Sequence, residues 1–474
     1  MAETRAQLFA MEKETIAPIP VGQRHGRPRE LVAIWFGMNM TPLTVVTGAT
    51  ATTLLGLPLG WSVLAILIGH GVGGIGMALH AAQGPRMGVP QMLQARGQFG
   101  SYGAAIIVLI ATVMFIGYFS SNLVVASDSL TAVLPGASGN LMLILCTLFS
   151  LVVSVFGYTL VRAVTAWSSY VVGALVLISF IALAVGGDIT QYLGKGEFSL
   201  TGFFAMVAIG VVWQLTYAPY VSDYSRYMPR DTGTRGAFWG SYTGCVLSSI
   251  LLMVLGAVVG LAVDNADTMA GLGGLLGPVL AAIVLFGFAL AASAGNSVNV
   301  YCSCLCLLTL IETFRRGWRP MMRARLIATL ALHVVGLTIA FAAATSFASS
   351  YFNFLSILLY LLIPWSAVNL VDYYLIRRAD YAIDDFFAPD GGRYGRWNPG
   401  AMIVFVVGVL VQVPFMSTTI FVGPVAAAMD GLDIAWLVGF AVSAGLYILL
   451  ARVWPRLVRI APSAPDPLLE AGQG

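Results

Sequence analysis

The chain has 474 residues, 58% of them hydrophobic and 9% charged, with a mean hydropathy of +0.87, which excludes an ordinary water-soluble globule. Lipid must be the solvent for most of it. The net charge of +3 sits in loops, so it bears on membrane orientation and gives no reason to expect a nucleic-acid partner.

Residues 1–30 form a polar segment holding Arg5, Lys13, Arg24, Arg27 and Arg29, and the first apolar stretch begins only at Leu31. A secretory signal would put its apolar core near residue one, so no cleaved leader is expected. A spanning helix needs about 20 mostly apolar residues. Twelve such windows follow, near 31–56, 60–82, 103–134, 139–161, 164–186, 201–222, 237–263, 276–311, 326–347, 350–375, 400–422 and 434–455. They are called spans 1 to 12 below, and the expected fold class is an all-α polytopic membrane protein of twelve transmembrane helices. Every Lys and Arg except Lys195 falls in the leader, in a loop after an even-numbered span, or in the tail. The odd-numbered loops hold Asp188, Glu197, Asp264, Asp267, Asp430 and Asp433. By the positive-inside rule both termini are cytoplasmic. One missed or invented helix would scramble that alternation. Residues 376–399 read as a cytoplasmic loop rich in charge and glycine, and 456–474 as a cytoplasmic tail.

Span 1 reads Trp35-Phe36-Gly37-Met38-Asn39-Met40-Thr41-Pro42, which puts Gly, Asn and Pro where a helix should be unbroken. Proline removes a donor and disfavours helix in the residue before it, and such breaks are tolerated in lipid only facing protein or an aqueous cavity. A simple packed kink is the bland alternative. In span 2, Gly71-Val72-Gly73-Gly74-Ile75-Gly76 formally matches a dinucleotide fingerprint, but it lies inside lipid without a preceding strand, so close helix packing is the better reading. His70 and His80 in the same span either relay protons or are imidazoles satisfied by backbone carbonyls. Span 3 carries Gly117-Tyr118-Phe119-Ser120-Ser121-Asn122, with an aromatic and an amide at i and i+4 on one face. Span 6 is broken again at Trp213-Gln214-Leu215-Thr216-Tyr217-Ala218-Pro219. Interrupted helices at corresponding places in two halves point to a transporter's central site. Spans 1 and 6 are five apart, an odd number, so repeats of that length would be inverted.

In span 8, Ser293, Asn296 and Ser297 share a face, with Asn299 three residues beyond Asn296. Amides at that depth bond either another helix or cargo. Cys146, Cys245, Cys302, Cys304 and Cys306 lie in apolar segments without zinc spacing and read as packing residues. Spans 1, 3, 6 and 8 thus offer aromatic faces with amides and hydroxyls and no mid-depth charge. The cargo expected is planar, polar and near neutral.

Several stretches resemble the nucleobase–cation symporter-1 family, and within it the purine–cytosine permeases. They are Ile16-Ala17-Pro18-Ile19-Pro20, Arg24-His25-Gly26 and Trp35 to Asn39; Gly84-Pro85-Arg86-Met87-Gly88-Val89-Pro90-Gln91 with Arg96-Gly97-Gln98-Phe99-Gly100; Pro219-Tyr220-Val221-Ser222-Asp223-Tyr224-Ser225-Arg226-Tyr227-Met228-Pro229; and Val371-Asp372-Tyr373-Tyr374-Leu375-Ile376-Arg377-Arg378 with Trp397-Asn398. The resemblance implies a five-plus-five inverted repeat of the leucine-transporter type, with repeats at 31–186 and 187–375 and helices 11 and 12 added at 400–455. It also implies alternating access driven by H+ or Na+, no cofactor, and a plasma membrane location. Trp213 matches the tryptophan that stacks on substrate. Tyr118 stands where the family's span 3 motif has tryptophan, with Asn122 after it, and Asn296 and Asn299 fall at its span 8 asparagines. The substrate set implied is therefore Trp213, Gln214, Tyr118, Asn122, Asn39, Asn296 and Asn299. Sodium carriers of this fold use span 1 carbonyls and span 8 hydroxyls, here Gly37, Met40, Ser293 and Ser297, but no adjacent Ser-Thr pair appears and a proton is preferred. Asp128 is a further possible titrating group. Asp223 and Arg226 are expected to gate the cytoplasmic side.

The function expected is import of purine bases, cytosine or both. Allantoin, hydantoin, uracil or thiamine carriage within the same family is the alternative, and a channel or receptor is the alternative from another class. An enzyme would need paired carboxylates, a metal cluster or an activated nucleophile, and none stands at mid-depth.

Overall fold

Each of the twelve windows contains a helix in the computed structural model, which describes residues 16–156, 158–185, 194–231, 233–262, 267–315, 318, 320–344 and 347–459. Arg5, Lys13, Asp188, Asp264 and the tail beyond 459 lie outside the described residues. Among them, nine helices are long and apolar enough to cross a membrane, and the bent pair Pro28–Asn39 and Pro42–Thr53 makes a tenth. Windows 6 and 11 hold the shorter apolar helices Leu200–Leu215 and Pro399–Phe415. The chain is an all-helical, polytopic membrane protein.

Three segments differ from the expected boundaries. Span 3 is preceded by a further helical stretch from Gln91, joined to it at Gly100, whose φ of 76° and ψ of 169° suit glycine alone. The eleventh window is α-helical only over Pro399–Leu410, because Pro414 and Gly423 end it in a 3₁₀ turn at Val413–Phe415 and a small hairpin bridged between Ser417 and Val422. The loop at 376–399 is folded, with Phe386 and Tyr394 packed in one apolar cluster with Met87, Val89, Leu93 and Tyr373.

The helices fall into three groups by contact. Spans 1, 2, 6 and 7 form the first, and glycines bring their backbones together. A Cβ on Gly48 would strike the carbonyl of Met253, and one on Gly256 that of Val45, so spans 1 and 7 touch reciprocally. A Cβ on Gly73 would stand 2.8 Å from Val211 Cα, and one on Gly210 2.9 Å from Gly69 Cα, which closes span 2 on span 6. The fingerprint-like glycines of span 2 are thus a packing surface. Spans 3, 4, 8 and 9 form the second group, with span 5 between span 8 and the first half of span 1. Spans 10, 11 and 12 form the third.

Span 10, Phe347–Val371, contains Pro364, which leaves the carbonyl of Tyr360 without its helical donor. Gln412 Nε2 of span 11 donates to that carbonyl at 2.9 Å, and the Tyr360 hydroxyl donates to Asp433 ahead of span 12. The C-terminal end of span 10 runs into a π-helical turn at Asp372–Ile376. Asp372 there accepts from Arg377 Nε at 3.0 Å, from the Tyr447 hydroxyl of span 12 at 2.8 Å, and from Tyr381.

Because the contacts between spans 1 and 7 are backbone to backbone, a larger residue has nowhere to go. Gly48→Leu and Gly256→Leu are each expected to destabilise the fold by about 1–3 kcal/mol or more. Gly445→Leu, which meets nothing within 4 Å, is expected to be silent. Thermal unfolding in detergent followed by size-exclusion chromatography checks this, and equal melting of all three variants would refute it.

Candidate functional site

The first half of span 1 ends at Asn39. Met40 leaves the helix with φ −73° and ψ 54°, Thr41 is extended as a residue before proline must be, and Pro42 opens the second half after a bend of 62°. Span 6 stops at Leu215, turns through Thr216–Tyr220 and resumes over Val221–Ser225. Both breaks need partners for the backbone groups they free. Met40 N donates to Gly37 O at 3.1 Å, Thr44 Oγ1 to Asn39 O at 2.7 Å, and Thr216 Oγ1 to Trp213 O at 2.8 Å.

The two breaks are tied together by the Asn39 side chain. Its Oδ1 accepts from Trp213 Nε1 at 2.7 Å, the Tyr217 hydroxyl at 2.7 Å and Ser249 Oγ of span 7 at 3.0 Å. Its Nδ2 donates to Trp35 O at 3.1 Å and Cys245 O at 3.4 Å. Protein partners thus occupy both ends of this carboxamide. Trp35 packs edge-on against Tyr217, Tyr220 and Tyr224, with centroids 5.5–5.8 Å away, fixing the wall behind the knot.

Beside this knot lies a cavity of about 20 Å³, lined by Met38, Thr41, Leu43, Tyr118, Asn122, Trp213, Thr216, Tyr217, Tyr220 and Asn299. That is room for about one water-sized body, so a larger guest requires the walls to part. No charged side chain lines it. Tyr118 meets Trp213 nearly perpendicular, at 88° with centroids 6.1 Å apart, and Phe354 of span 10 covers its other side at 5.4 Å. A planar guest lying flat on Trp213 therefore meets Tyr118 edge-on, rather than between parallel rings. One buried polar atom of the lining, Asn122 Oδ1, makes no hydrogen bond, and the Tyr118 hydroxyl has the Thr216 side chain as its neighbour. A buried polar atom left unpaired costs about 1–3 kcal/mol, which makes Asn122 Oδ1 receptive to a polar guest.

The expected site residues separate into those at the cavity and those behind it. Trp213, Tyr118, Asn122 and Asn299 line it. Asn296 stands behind Asn299, accepting from its Nδ2 at 3.3 Å and donating to Phe119 O of span 3 at 3.0 Å. Gln214 turns the other way, donating to His70 Nδ1 of span 2 at 2.9 Å and to Ser249 Oγ at 3.2 Å. Tyr217, Tyr220, Thr41 and Thr216 line the cavity without having been singled out. Their signal was position: they flank Pro42 or Pro219 within the unwound segments.

The hydroxyls of Ser293 and Ser297 are taken by carbonyls of their own helix, Ala289 at 2.9 Å and Ala294 at 2.5 Å. Of span 8, Gly295 approaches the break in span 1, where its Cβ would stand 4.0 Å from Met38 O and 3.7 Å from Thr41 Cγ2. Gly37 and Met40 are buried at the break itself. Towards the side of the even-numbered loops Asp223 and Arg226 are both buried. Asp223 Oδ1 accepts from Gln91 N at 2.8 Å, while Arg226 Nε donates to the Asp223 carbonyl at 3.2 Å. Ser222 and Ser225 donate to His80 O at 2.9 Å and Ala81 O at 2.6 Å, so this segment closes span 6 on the end of span 2. His80 bonds Gly76 O at 2.8 Å and stacks on Trp365. On the side of the odd-numbered loops a cavity of about 250 Å³ opens between Leu54, Ile209, Val212, Asn353, Tyr360 and Thr418.

Comparison with known proteins bears on this arrangement. The chain is 36% identical over 461 residues to the Bacillus subtilis protein named "Putative purine-cytosine permease YxlA", covering 95% of this chain and 98% of that one. It is 26% identical to the purine-cytosine permease fcyB of Emericella nidulans, over 88% of this chain and 84% of that one. Among solved structures, Mhp1, a nucleobase-cation-symport-1 family transporter in a closed conformation with bromovinylhydantoin bound, superposes with a TM-score of 0.76 at 19% identity, covering 95% and 97% of the two chains. A Na+-coupled sialic acid symporter superposes at 0.63 with 11% identity, over 94% and 92%. These likenesses establish a transporter fold, as the broken first and sixth spans anticipate. The model of a family described as "Permease for cytosine/purines, uracil, thiamine, allantoin" matches residues 18–439. The chain belongs to this family of membrane permeases, which are transporters and not enzymes.

Proposed function

We propose that the protein is a cation-coupled symporter of the plasma membrane that imports purine bases, cytosine or both by alternating access, with both termini in the cytoplasm. The observation that carries this reading is Asn122 Oδ1, buried without a hydrogen bond, beside the Tyr118 hydroxyl in an uncharged cavity walled by Trp213, Tyr217 and Tyr220. A flat base lies on the Trp213 ring. Its exocyclic amine or ring N–H donates to Asn122 Oδ1, and Tyr118 and Asn299, which can each donate and accept, take the rest of its edge. Asn39 and Asn296 hold these groups in place. The purine-cytosine names of relatives across nearly the whole chain support the same cargo.

In the proposed cycle, cargo enters from the odd-loop side and the walls close on it. The contacts of Ser222, Asp223, Ser225 and Arg226 with span 2 and Gln91 then release to open the cytoplasmic side. The two broken spans stand one in each of the five-helix units 31–186 and 187–375, which supports a symmetrical pair of movements. A proton is the preferred coupling ion, because span 8 offers Ser293 and Ser297 without the adjacent Ser-Thr pair of the sodium carriers. The ion drives uptake only through a different affinity for the two states.

Proteoliposomes with sodium and proton gradients imposed separately are expected to concentrate labelled cytosine or a purine base on the proton gradient. Competition by allantoin, hydantoin, uracil or thiamine alone would move the cargo elsewhere in the family, and uptake without concentration would indicate a channel. Tyr118→Phe and Asn122→Ala are each expected to raise the half-saturating concentration about tenfold, the worth of one buried hydrogen bond. Unchanged saturation curves in both would remove them from the site. If Asp223 and Arg226 gate as a pair, Asp223→Arg with Arg226→Asp restores uptake that either single change abolishes. No rescue would count against gating by that pair.

A further inference from the structure

His70 lies in the middle of span 2, fully buried, and does not touch the cavity. Its Nδ1 faces Gln214 Nε2 at 2.9 Å and its Nε2 faces Met253 Sδ of span 7 at 3.0 Å. The same Gln214 nitrogen lies 3.2 Å from Ser249 Oγ and 3.5 Å from the carbonyl of Cys245. A carbonyl only accepts, so the amide edge turned to Cys245 and His70 is the NH₂ edge. His70 Nδ1 is then an acceptor, and the ring is the neutral tautomer with its proton on Nε2, directed at the thioether. An imidazolium would set an N–H against an NH₂. Both groups that meet the ring nitrogens, the Gln214 amide and the Met253 thioether, are uncharged.

From Gln214 the chain of bonds continues into the site. Ser249, held by Gln214, donates to Asn39 Oδ1 at 3.0 Å, and that oxygen also receives Trp213 Nε1 and the Tyr217 hydroxyl. Resting on the cargo reading above, we infer that His70 is a positioning residue: as a fixed neutral acceptor it sets Gln214, and through Ser249 and Asn39 it sets the angle of the Trp213 ring on which the cargo lies. It takes no part in carrying the coupled proton, although it is a histidine buried within a span, as His80 and His333 also are. The close glycine contacts of span 2 with span 6, Gly69 against Gly210 and Gly73 against Val211 and Gln214, hold the ring and the amide near each other.

The test rests on which atom of residue 70 is needed. His70→Asn places an oxygen where Nδ1 stands and keeps the acceptor; His70→Gln and His70→Leu do not. In protein labelled with 5-fluorotryptophan, the ¹⁹F resonance of Trp213, assigned by its loss in Trp213→Phe, is expected to shift or broaden in His70→Leu and His70→Gln and to stay in place in His70→Asn. Ser249→Ala breaks the chain one link further on and is expected to move the same resonance, which keeps the test open should His70→Leu not fold. In uptake, His70→Leu and His70→Gln should raise the half-saturating concentration about tenfold with maximal rate within about twofold of the parent. His70→Asn should keep both values and remain driven by the proton gradient. An unmoved Trp213 resonance in His70→Leu, His70→Gln and Ser249→Ala overturns the inference, as does loss of proton-driven uptake in His70→Asn with cargo binding intact. Should the parent protein transport no base, the cargo reading fails, and the fluorine spectra still decide the role of His70.

Discussion

A helix broken inside a membrane must find partners for the backbone groups it frees, and in this chain two breaks meet at one carboxamide. Asn39 Oδ1 receives three donors from spans 6 and 7, and Nδ2 is bonded back to span 1 and across to Cys245. In a low-dielectric interior each of these bonds weighs more than on a soluble surface, and losing any one leaves a buried polar group unpaired. The cavity lies where the helices are unwound, and this knot holds the two unwound segments against each other.

The knot also explains why spans 1, 2, 6 and 7 pack so closely. Side-chain bonds of about 3 Å between four helices demand backbones near enough to reach, and the glycines at 48, 69, 73, 210 and 256 supply that approach. Spans 3, 4, 8 and 9 are built differently, with Asn296 reaching the Phe119 carbonyl and Ser120 the Gly336 carbonyl. The cavity falls between the two groups: Trp213 and Tyr217 come from one, Tyr118, Asn122 and Asn299 from the other. Relative movement of the groups alters the cavity without disturbing the knot.

Much of this was legible in residue order. The apolar windows and the alternation of basic loops located the helices, and Pro42 and Pro219 marked both breaks. Tyr118 with Asn122 and Trp213 were readable because an aromatic or amide at mid-depth has few inert explanations. Which way a side chain turns was not readable. Gln214 follows Trp213 directly, yet about 100° of helical rotation sends one to the cavity and the other to His70. Asn296 and Asn299 share a face, but one turn of rise puts only the second at the cavity. The partners of the knot in span 7, Cys245 and Ser249, carry no pattern at all, since their role comes from distant chain brought near. The eleventh window misled because hydropathy continues past Pro414, where the helix cannot.

Span 10 bears on the common division of such carriers into a working core and two appended helices. Pro364 denies the Tyr360 carbonyl its own-helix donor, and the replacement comes from Gln412, outside the first ten spans. The tenth helix is therefore chemically incomplete by itself. Its missing donor is stored in the eleventh, and a hydroxyl on the same tyrosine is moored ahead of the twelfth. A chain cut after span 10 would carry that carbonyl unpaired in its last helix for as long as residue 364 is proline, at a cost of about 1–3 kcal/mol.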